Sequence, residues 1–271
     1  MALSALQRNV LRCIAANRSD TSYIAGGVAL NRDWPRISDD IDVFHDTDEE
    51  IGAAASADIE TLRQAGFSVR IELEIYGIVE AVVSQGAQST IVQWMSESRT
   101  RFFPLVKDDV WGARLHQTDL AVNKVIAASS RTKARDFVDL AAIADNMCPL
   151  GPLLLAAAGK PPHFSPSRMI EEIRRRGLSV PTAEYDAVKG LPPGLDADAV
   201  RERLIAALDQ AESYVMTAPV ELVGVLACDA TGTPVEARSA DAGTVLFRRP
   251  TPEPEAIPSL PDAPQTWSSG R

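Results

Sequence analysis

Apolar residues in the first third of the chain recur with two different periods. Leu3, Leu6, Val10, Leu11 and Ile14 return every three or four positions, which predicts an amphipathic helix over 3–17 with one core-facing side. Tyr23-Ile24-Ala25 is a short apolar run stopped by Gly26-Gly27, after which 28–32 resumes a helical pattern. A strand, a glycine turn and a helix are therefore expected in that order. Residues 41–44 read as a second short strand. Thr47 with Glu50 three positions on has the form of a capping box, and Ile51, Ala55, Ile59 and Leu62 carry one helical face as far as Gly66. Three β-rich stretches follow, 67–76, 78–84 and 90–95, separated by Gly77 and by Gln85-Gly86, as consecutive antiparallel strands would be.

From Thr118 onward the pattern turns helical. Leu120, Val122, Val125 and Ile126 define one helix, and Phe137, Val138, Leu140, Ala141 and Ile143 a second, with a break at 129–132. Ser165-Pro166 supplies a cap and first-turn pair for a helix running to Arg176 and ended by Gly177. A long helix is expected over 197–216, and a short hairpin from 220–227 and 244–247. Six prolines in the last 23 residues predict a disordered tail. The resulting division is a mixed α and β part over 1–116, a helical part over 117–248 and a Pro-rich tail over 249–271.

Composition narrows the class. The chain has 271 residues, 45% hydrophobic and 24% charged, enough to bury a core. Its formal charge of -10 argues against coating nucleic acid by bulk electrostatics and leaves only a local basic groove for that purpose. Cys13, Cys148 and Cys228 have neither disulfide parity nor zinc spacing, which points to a reducing cytoplasm. The longest apolar run, 153–158, falls far short of the ~20 residues that a membrane span needs, so no membrane association is expected.

The candidate chemistry lies in Gly26-Gly27-Val28-Ala29-Leu30 and the following Arg36-Ile37-Ser38-Asp39-Asp40-Ile41-Asp42-Val43-Phe44. A D-x-D within a strand places Asp40 and Asp42 on one face, because side chains alternate with period two. Apolar Ile41 and Val43 between and beside them put the acids on the open face of a strand buried on its other side. Two such carboxylates repel unless a cation neutralises them, and hard oxygen ligands favour magnesium shared with substrate phosphates. The glycine turn lets backbone approach a phosphate without a side-chain clash. A metal-nucleotide site follows. His45, His116 and His163 lack partners at metal or nucleophile spacing and are read as packing or surface residues. Arg99-Thr100-Arg101 reads as a solvated loop or a phosphate contact, and Arg174-Arg175-Arg176 as basic residues favoured near a helix C-terminus.

These residues resemble the AbiEii/AbiGii-type nucleotidyltransferases, toxins of bacterial toxin-antitoxin and phage-defence systems within the DNA-polymerase-β-like superfamily. The first signature is the glycine pair, then Ala29-Leu30, then Arg36-x-Ser38-x-Asp40-Ile41-Asp42-x-Phe44. The second is Lys124 followed by Arg131, Arg135, Asp136 and Asp139. The resemblance covers roughly 20–145. It implies an α+β fold, a mixed sheet flanked by helices with a helical C-terminal region, and transfer of a nucleotide from an NTP to an acceptor hydroxyl with release of pyrophosphate. By the same resemblance Gly26 and Gly27 cradle the triphosphate, Asp40 and Asp42 bind Mg2+, Lys124 holds triphosphate oxygens, and Ser38 orders the turn or reaches a phosphate. Asp136 completes the far wall of the pocket. Arg131 joins the nucleotide-binding set, seven residues from Lys124 and so close to two helical turns away. Arg135 and Asp139, four apart, have the spacing of an ion pair. An RNA acceptor such as the tRNA 3′ end and a cognate antitoxin protein are the implied partners.

One position departs from the pattern. Where the superfamily carries a third carboxylate on a later strand, this chain has Gln93, an amide that brings no charge and cannot act as a base. Glu97, Glu80 and Glu74 are the candidate substitutes. Two alternatives to RNA modification therefore stand beside it: nucleotidylation of a protein hydroxyl, and a nucleotide-binding or interaction protein that has lost turnover.

Overall fold

The computed structural model describes residues 3–237 and 245–257. They form two compact units, one built from the described residues up to 99 with 105–120 and the other from 100–104 with the described residues from 121 onward.

The first unit opens with α1 (Ala5–Ile14), whose Ser4 hydroxyl and Gln7 side chain form a reciprocal capping box, and a 3-10 turn (Ala15–Asn17). Then come β1 (Ser22–Ala25), α2 (Gly26–Leu30), β2 (Asp40–His45), α3 (Ile51–Gln64), β3 (Ser68–Ile75), β4 (Ile78–Gln85), β5 (Gln88–Ser96), β6 (Val106–Asp108) and β7 (Gly112–Arg114). The strands make one sheet in the order β3-β4-β5-β2-β1-β7-β6. It is mixed: β2 runs parallel to β5 and β1 parallel to β7, and the other neighbours are antiparallel. Helices α1 and α3 bury Leu6, Val10, Leu11, Ile14, Ile51, Ile59 and Leu62. The strand residues Ile41, Val43, Val79, Ala81, Val83, Val92 and Trp94 are buried as well. At about 25 cal/mol per Å2 of apolar surface removed from water, burial of this kind is the dominant stabilising term.

A charged pair is enclosed in this unit. Arg18 and Asp58 meet at 2.5 Å with both side chains almost fully buried. The Trp94 indole N–H donates to Asp58 Oδ2 at 2.7 Å, and Asn17 Nδ2 donates to Asp58 Oδ1 at 2.8 Å. The carboxylate is thus fully engaged, as a buried charge requires.

The capping box expected at Thr47 and Glu50 does not form. Helix α3 starts at Ile51 with Glu50 in αR geometry and no side-chain cap. Asp48 in the same turn accepts instead from the Ser96 hydroxyl. Gly66 ends the helix region with φ +86°, as the sequence suggests.

Helix α4 (Gln117–Ser130) is followed in the second unit by α5 (Ala134–Asn146), α6 (Leu150–Ala157), α7 (Pro166–Ser179), α8 (Thr182–Asp186) and α9 (Ala197–Thr217). Helices α5, α6, α7 and α8 all pack on α9. Gly177 does not stop α7. It lies inside the helix, where an added Cβ would stand 2.7 Å from Leu204 Cδ2, so its role is close helix packing. The pair β8 (Leu226–Cys228) and β9 (Leu246–Arg248) is antiparallel. Arg101 is buried and not solvated, and its backbone pairs in both directions with Thr251. Arg248 stacks over Phe103 and donates to the Phe102 carbonyl at 3.1 Å. Residues 249–257, expected to begin a disordered tail, therefore include a paired segment and a 3-10 turn (Pro254–Ala256). The rest of that expected tail, 258–271, lies outside the described residues. The α+β class expected from the sequence is the class observed. Among the described residues, no helix is long and apolar enough to cross a membrane.

Candidate active site

The site is assembled at the junction of β1, α2 and β2. Antiparallel pairing sets Ala25 opposite Asp42 and Ile24 opposite Val43, so the glycine pair that follows Ala25 falls beside the Asp42 carboxylate. Ile41 and Val43 are buried and turned to the core, while Asp40 and Asp42 share the other face of the strand. Gly26 has φ +67°, and a Cβ there would stand 1.7 Å from Asp42 Oδ2. A Cβ at Gly27 would lie 2.6 Å from the Arg36 guanidinium and 3.0 Å from Ser38 Oγ. Both positions are glycine because polar site atoms occupy the space that any side chain would need.

The loop before β2 is fixed from several directions. Ser38 Oγ donates to Asp40 Oδ1 at 2.8 Å. Gln7 Nε2 donates to the Ser38 carbonyl at 2.7 Å, and Thr90 Oγ1 donates to the Asp39 carbonyl at 3.1 Å. Arg36 is buried, with one guanidinium nitrogen donating to the Ile37 carbonyl at 3.1 Å. Gln7, Thr90 and Arg36 are positioning residues that received no role from the sequence. The local signal that could have found Gln7 is the Ser4-x-x-Gln7 spacing of a capping box, in which Gln7 Oε1 accepts from the Ser4 N–H at 3.0 Å.

Gln93 on β5 is in register with Asp42 on the parallel neighbour β2 and with Glu80 on β4, so the three side chains share the open face. Its Nε2 donates to Glu80 Oε2 at 2.5 Å. Glu74 is opposite Val79, one position out of phase with Glu80, and belongs to the other face. Glu97 follows the end of β5, where its backbone N–H donates to the His45 carbonyl at 3.1 Å. Of the three candidate replacement acids, Glu80 alone is in the Asp42–Gln93 ladder.

Among the described residues, no group of three or more His, Cys, Asp and Glu side chains is gathered to hold a metal ion. Asp40 and Asp42 are a two-carboxylate set of hard oxygens. That donor chemistry suits magnesium, which keeps several waters and shares substrate phosphate rather than filling an all-protein cage.

The second signature forms its own cluster in the helical unit. Lys124 Nζ on α4 lies 2.7 Å from Asp136 Oδ1 and 2.9 Å from Asp139 Oδ2, both on α5 and both fully buried. Arg131 grips Asp136 through two nitrogens, at 2.8 and 3.2 Å. Burial alone would raise the Asp136 carboxyl. The charges of Lys124 and Arg131 outweigh it and hold the group well below the ordinary carboxylate range. Helix α4 ends at Ser130, one residue before Arg131, yet Lys124 and Arg131 still converge on one carboxylate. The structure thus joins Gly26, Gly27, Ser38, Asp40 and Asp42 in one group, and Lys124, Arg131 and Asp136 in another. The histidines take structural places: His45 is buried in β2, and His116 Nδ1 accepts from the Thr118 N–H at 3.2 Å.

No protein-family model matches the sequence, and no curated protein matches it. Solved structures do. The chain is similar to the nucleotidyltransferase toxin MenT4 of Mycobacterium tuberculosis, with a TM-score of 0.56 at 14% identity over 80% of this chain and 84% of that one. It is similar to JHP933 of Helicobacter pylori with a TM-score of 0.50 at 16% identity, over 79% and 95% of the two chains. At these identities the shared property is the fold, and it is one used by a nucleotidyltransferase.

Proposed function

We propose that the chain is a metal-dependent nucleotidyltransferase of the AbiEii/AbiGii type, acting as a toxin that adds a nucleotide from an NTP to an acceptor hydroxyl on RNA. The observation that carries this reading is the Asp40 and Asp42 pair on the open face of β2, with Asp42 against the Cβ-less Gly26 and Asp40 tied to Ser38. The fold shared with MenT4 supports it.

In this reading Asp40 and Asp42 would hold magnesium, which when bound offsets charge on the triphosphate. Gly26 and Gly27 leave room for the phosphates beside those acids. The acceptor oxygen attacks the α-phosphorus, the bond to the β-phosphate oxygen breaks, and pyrophosphate departs. Glu80, with Oε2 held by Gln93, offers Oε1 to take the acceptor's proton. It stands two strands from Asp42, roughly 10 Å between Cα atoms at normal strand spacing, with Gln93 on the strand between them. Positioning and fixed charge supply most of the acceleration in such a transfer.

Purified protein incubated with each labelled NTP, magnesium, total tRNA and bulk cell protein tests the acceptor. Label in tRNA supports this proposal. Label in protein moves the acceptor to a side-chain hydroxyl. NTP binding without label in either marks a chain that has lost turnover, the outcome that Gln93 in place of an acid would explain. Growth arrest on expression, relieved by a cognate antitoxin or by Asp42→Asn, tests the toxin role.

A further inference from the structure

An open cleft of about 560 Å3 lies at the surface of the helical unit, where the last turns of α9 meet residues 236–237; Gln210, Ser213 and Thr217 along it are exposed and Glu236 is half-buried. Small-molecule sites typically enclose about 300–1,000 Å3. Gln210, Ser213, Tyr214 and Thr217 line one side of it, spaced along one helical face, and Glu236 lines another.

Donor and acceptor accounting gives this cavity a definite chemistry. Ser213 Oγ donates its hydrogen to the Asp209 carbonyl at 3.0 Å. Thr217 Oγ1 donates to the carbonyls of Ser213 and Tyr214, each at 3.1 Å. Both hydroxyl hydrogens are spent on the helix backbone, so what these groups have left for a ligand is oxygen lone pairs. The Tyr214 hydroxyl accepts from the Ala237 N–H at 3.0 Å and donates to the Ala237 carbonyl at 3.3 Å, which pins the segment carrying Glu236 to α9. Glu236 Oε1 is buried, and among the described residues no group donates to it. A buried carboxylate oxygen without a donor is costly, so such an atom in a native protein calls for a partner.

We infer that this cavity binds a small organic cation, an alkylammonium or guanidinium compound whose N–H groups donate to Glu236 Oε1 and to the Ser213 and Thr217 oxygens. Ala218, Pro219 and Ala237 form the apolar part of the wall, and its polar part combines the Gln210 amide, which both donates and accepts, with the hydroxyl oxygens and one carboxylate, whose charge disfavours anions. A single carboxylate is too few for a metal cage, in keeping with the lack of any metal-binding cluster among the described residues. The size of the cavity favours a free small molecule over the surface of a partner. The inference is independent of the proposed transferase reaction.

Isothermal titration of the full chain with putrescine, spermidine and agmatine tests it, with propionate as the anionic control. The expected result is saturable binding of at least one cation and none of propionate. Glu236→Gln should weaken that binding about tenfold or more by removing the charge that assists the hydrogen bond. Thr217→Val, which removes one acceptor and keeps the shape, should weaken it several-fold. Asp42→Asn, in the other unit, should leave it unchanged. The bound cation should raise the melting temperature of the wild-type chain and not that of Glu236→Gln. The proposal is overturned if no cation binds up to about 10 mM, a free energy too small for a built site. It is equally overturned if a folded Glu236→Gln, or a folded Thr217→Val should the first fail to fold, binds as the wild type does.

Discussion

Gly26 and Asp42 share one space: the position that a Cβ on Gly26 would take is 1.7 Å from Asp42 Oδ2. The strand register that puts Ala25 opposite Asp42 makes this contact unavoidable, and the positive φ of Gly26 adds a second reason for glycine. Gly26→Ala must displace the carboxylate or the turn. We expect transfer to fall about 100-fold or more, as a misplacement near 1 Å at a reacting centre does. A stability loss of about 1–3 kcal/mol should accompany it from the strained backbone. Kinetics beside a denaturant melt checks both.

The Asp42–Gln93–Glu80 ladder gives a second prediction. Glu80→Gln should lower the transfer rate by about 100- to 10,000-fold, the usual range for removing a general base, with NTP affinity little changed. The acid limb of the pH–rate profile should disappear with it. Gln93→Glu in the Glu80→Gln background returns an acid one strand nearer to Asp42 and should recover part of the rate. A full rate in Glu80→Gln, with Asp42→Asn inactive, removes Glu80 from the reaction and leaves the rest of the site intact.

Lys124 answers two fully buried aspartates at once. Lys124→Met leaves Asp136 and Asp139 short of a cation and should cost about 3–5 kcal/mol, the range for breaking a buried ion pair. Arg131 is half-exposed, and Arg131→Ala should cost less. Urea melts at neutral pH rank the two. Any loss of transfer in Lys124→Met is then interpretable only at temperatures where the melt shows it folded.

His45 links pH to stability. Burial first, and then the positive charge of Arg18, lower its pKa to about 4 from an ordinary 6.5. The unfolded chain therefore binds a proton at a pH where the folded chain does not. Stability owed to neutral His45 is fully present above pH 6.5 and is lost as pH falls from there toward 4. Denaturant melts from pH 7.5 to 4.5, compared with His45→Leu, isolate this contribution from that of the carboxylates. The variant's stability should fall less steeply over that range, and parallel curves would remove His45 from the account.

The sequence was legible where a pattern is local. A short apolar run located β1, the alternation of acids with Ile41 and Val43 located β2, β-rich stretches between glycines located β3, β4 and β5, and three- and four-residue spacing located α1, α3 and α9. Helix α6 escaped because all eight of its positions are buried, so no polar stripe marks the period. Strands β6 and β7 have three residues each, too few to alternate. The glycine turn and the two acids were readable as a short motif. Their supports were not: Gln7 is 31 residues from Ser38, and Thr90 is 51 from Asp39, distances that only the folded sheet closes. Gly177 was mistaken for a helix stop because its true constraint, Leu204 on another helix, has no local signature.

The central claim is that Asp40 and Asp42 jointly bind magnesium-NTP for transfer. It is tested most directly by incorporation of labelled nucleotide into total tRNA by the wild-type chain, Asp40→Asn and Asp42→Asn, each with magnesium and with excess chelator. Magnesium-dependent labelling is expected from the wild type, with none above background from either variant although both melt as folded proteins. Labelling by folded Asp42→Asn at the wild-type rate would contradict it.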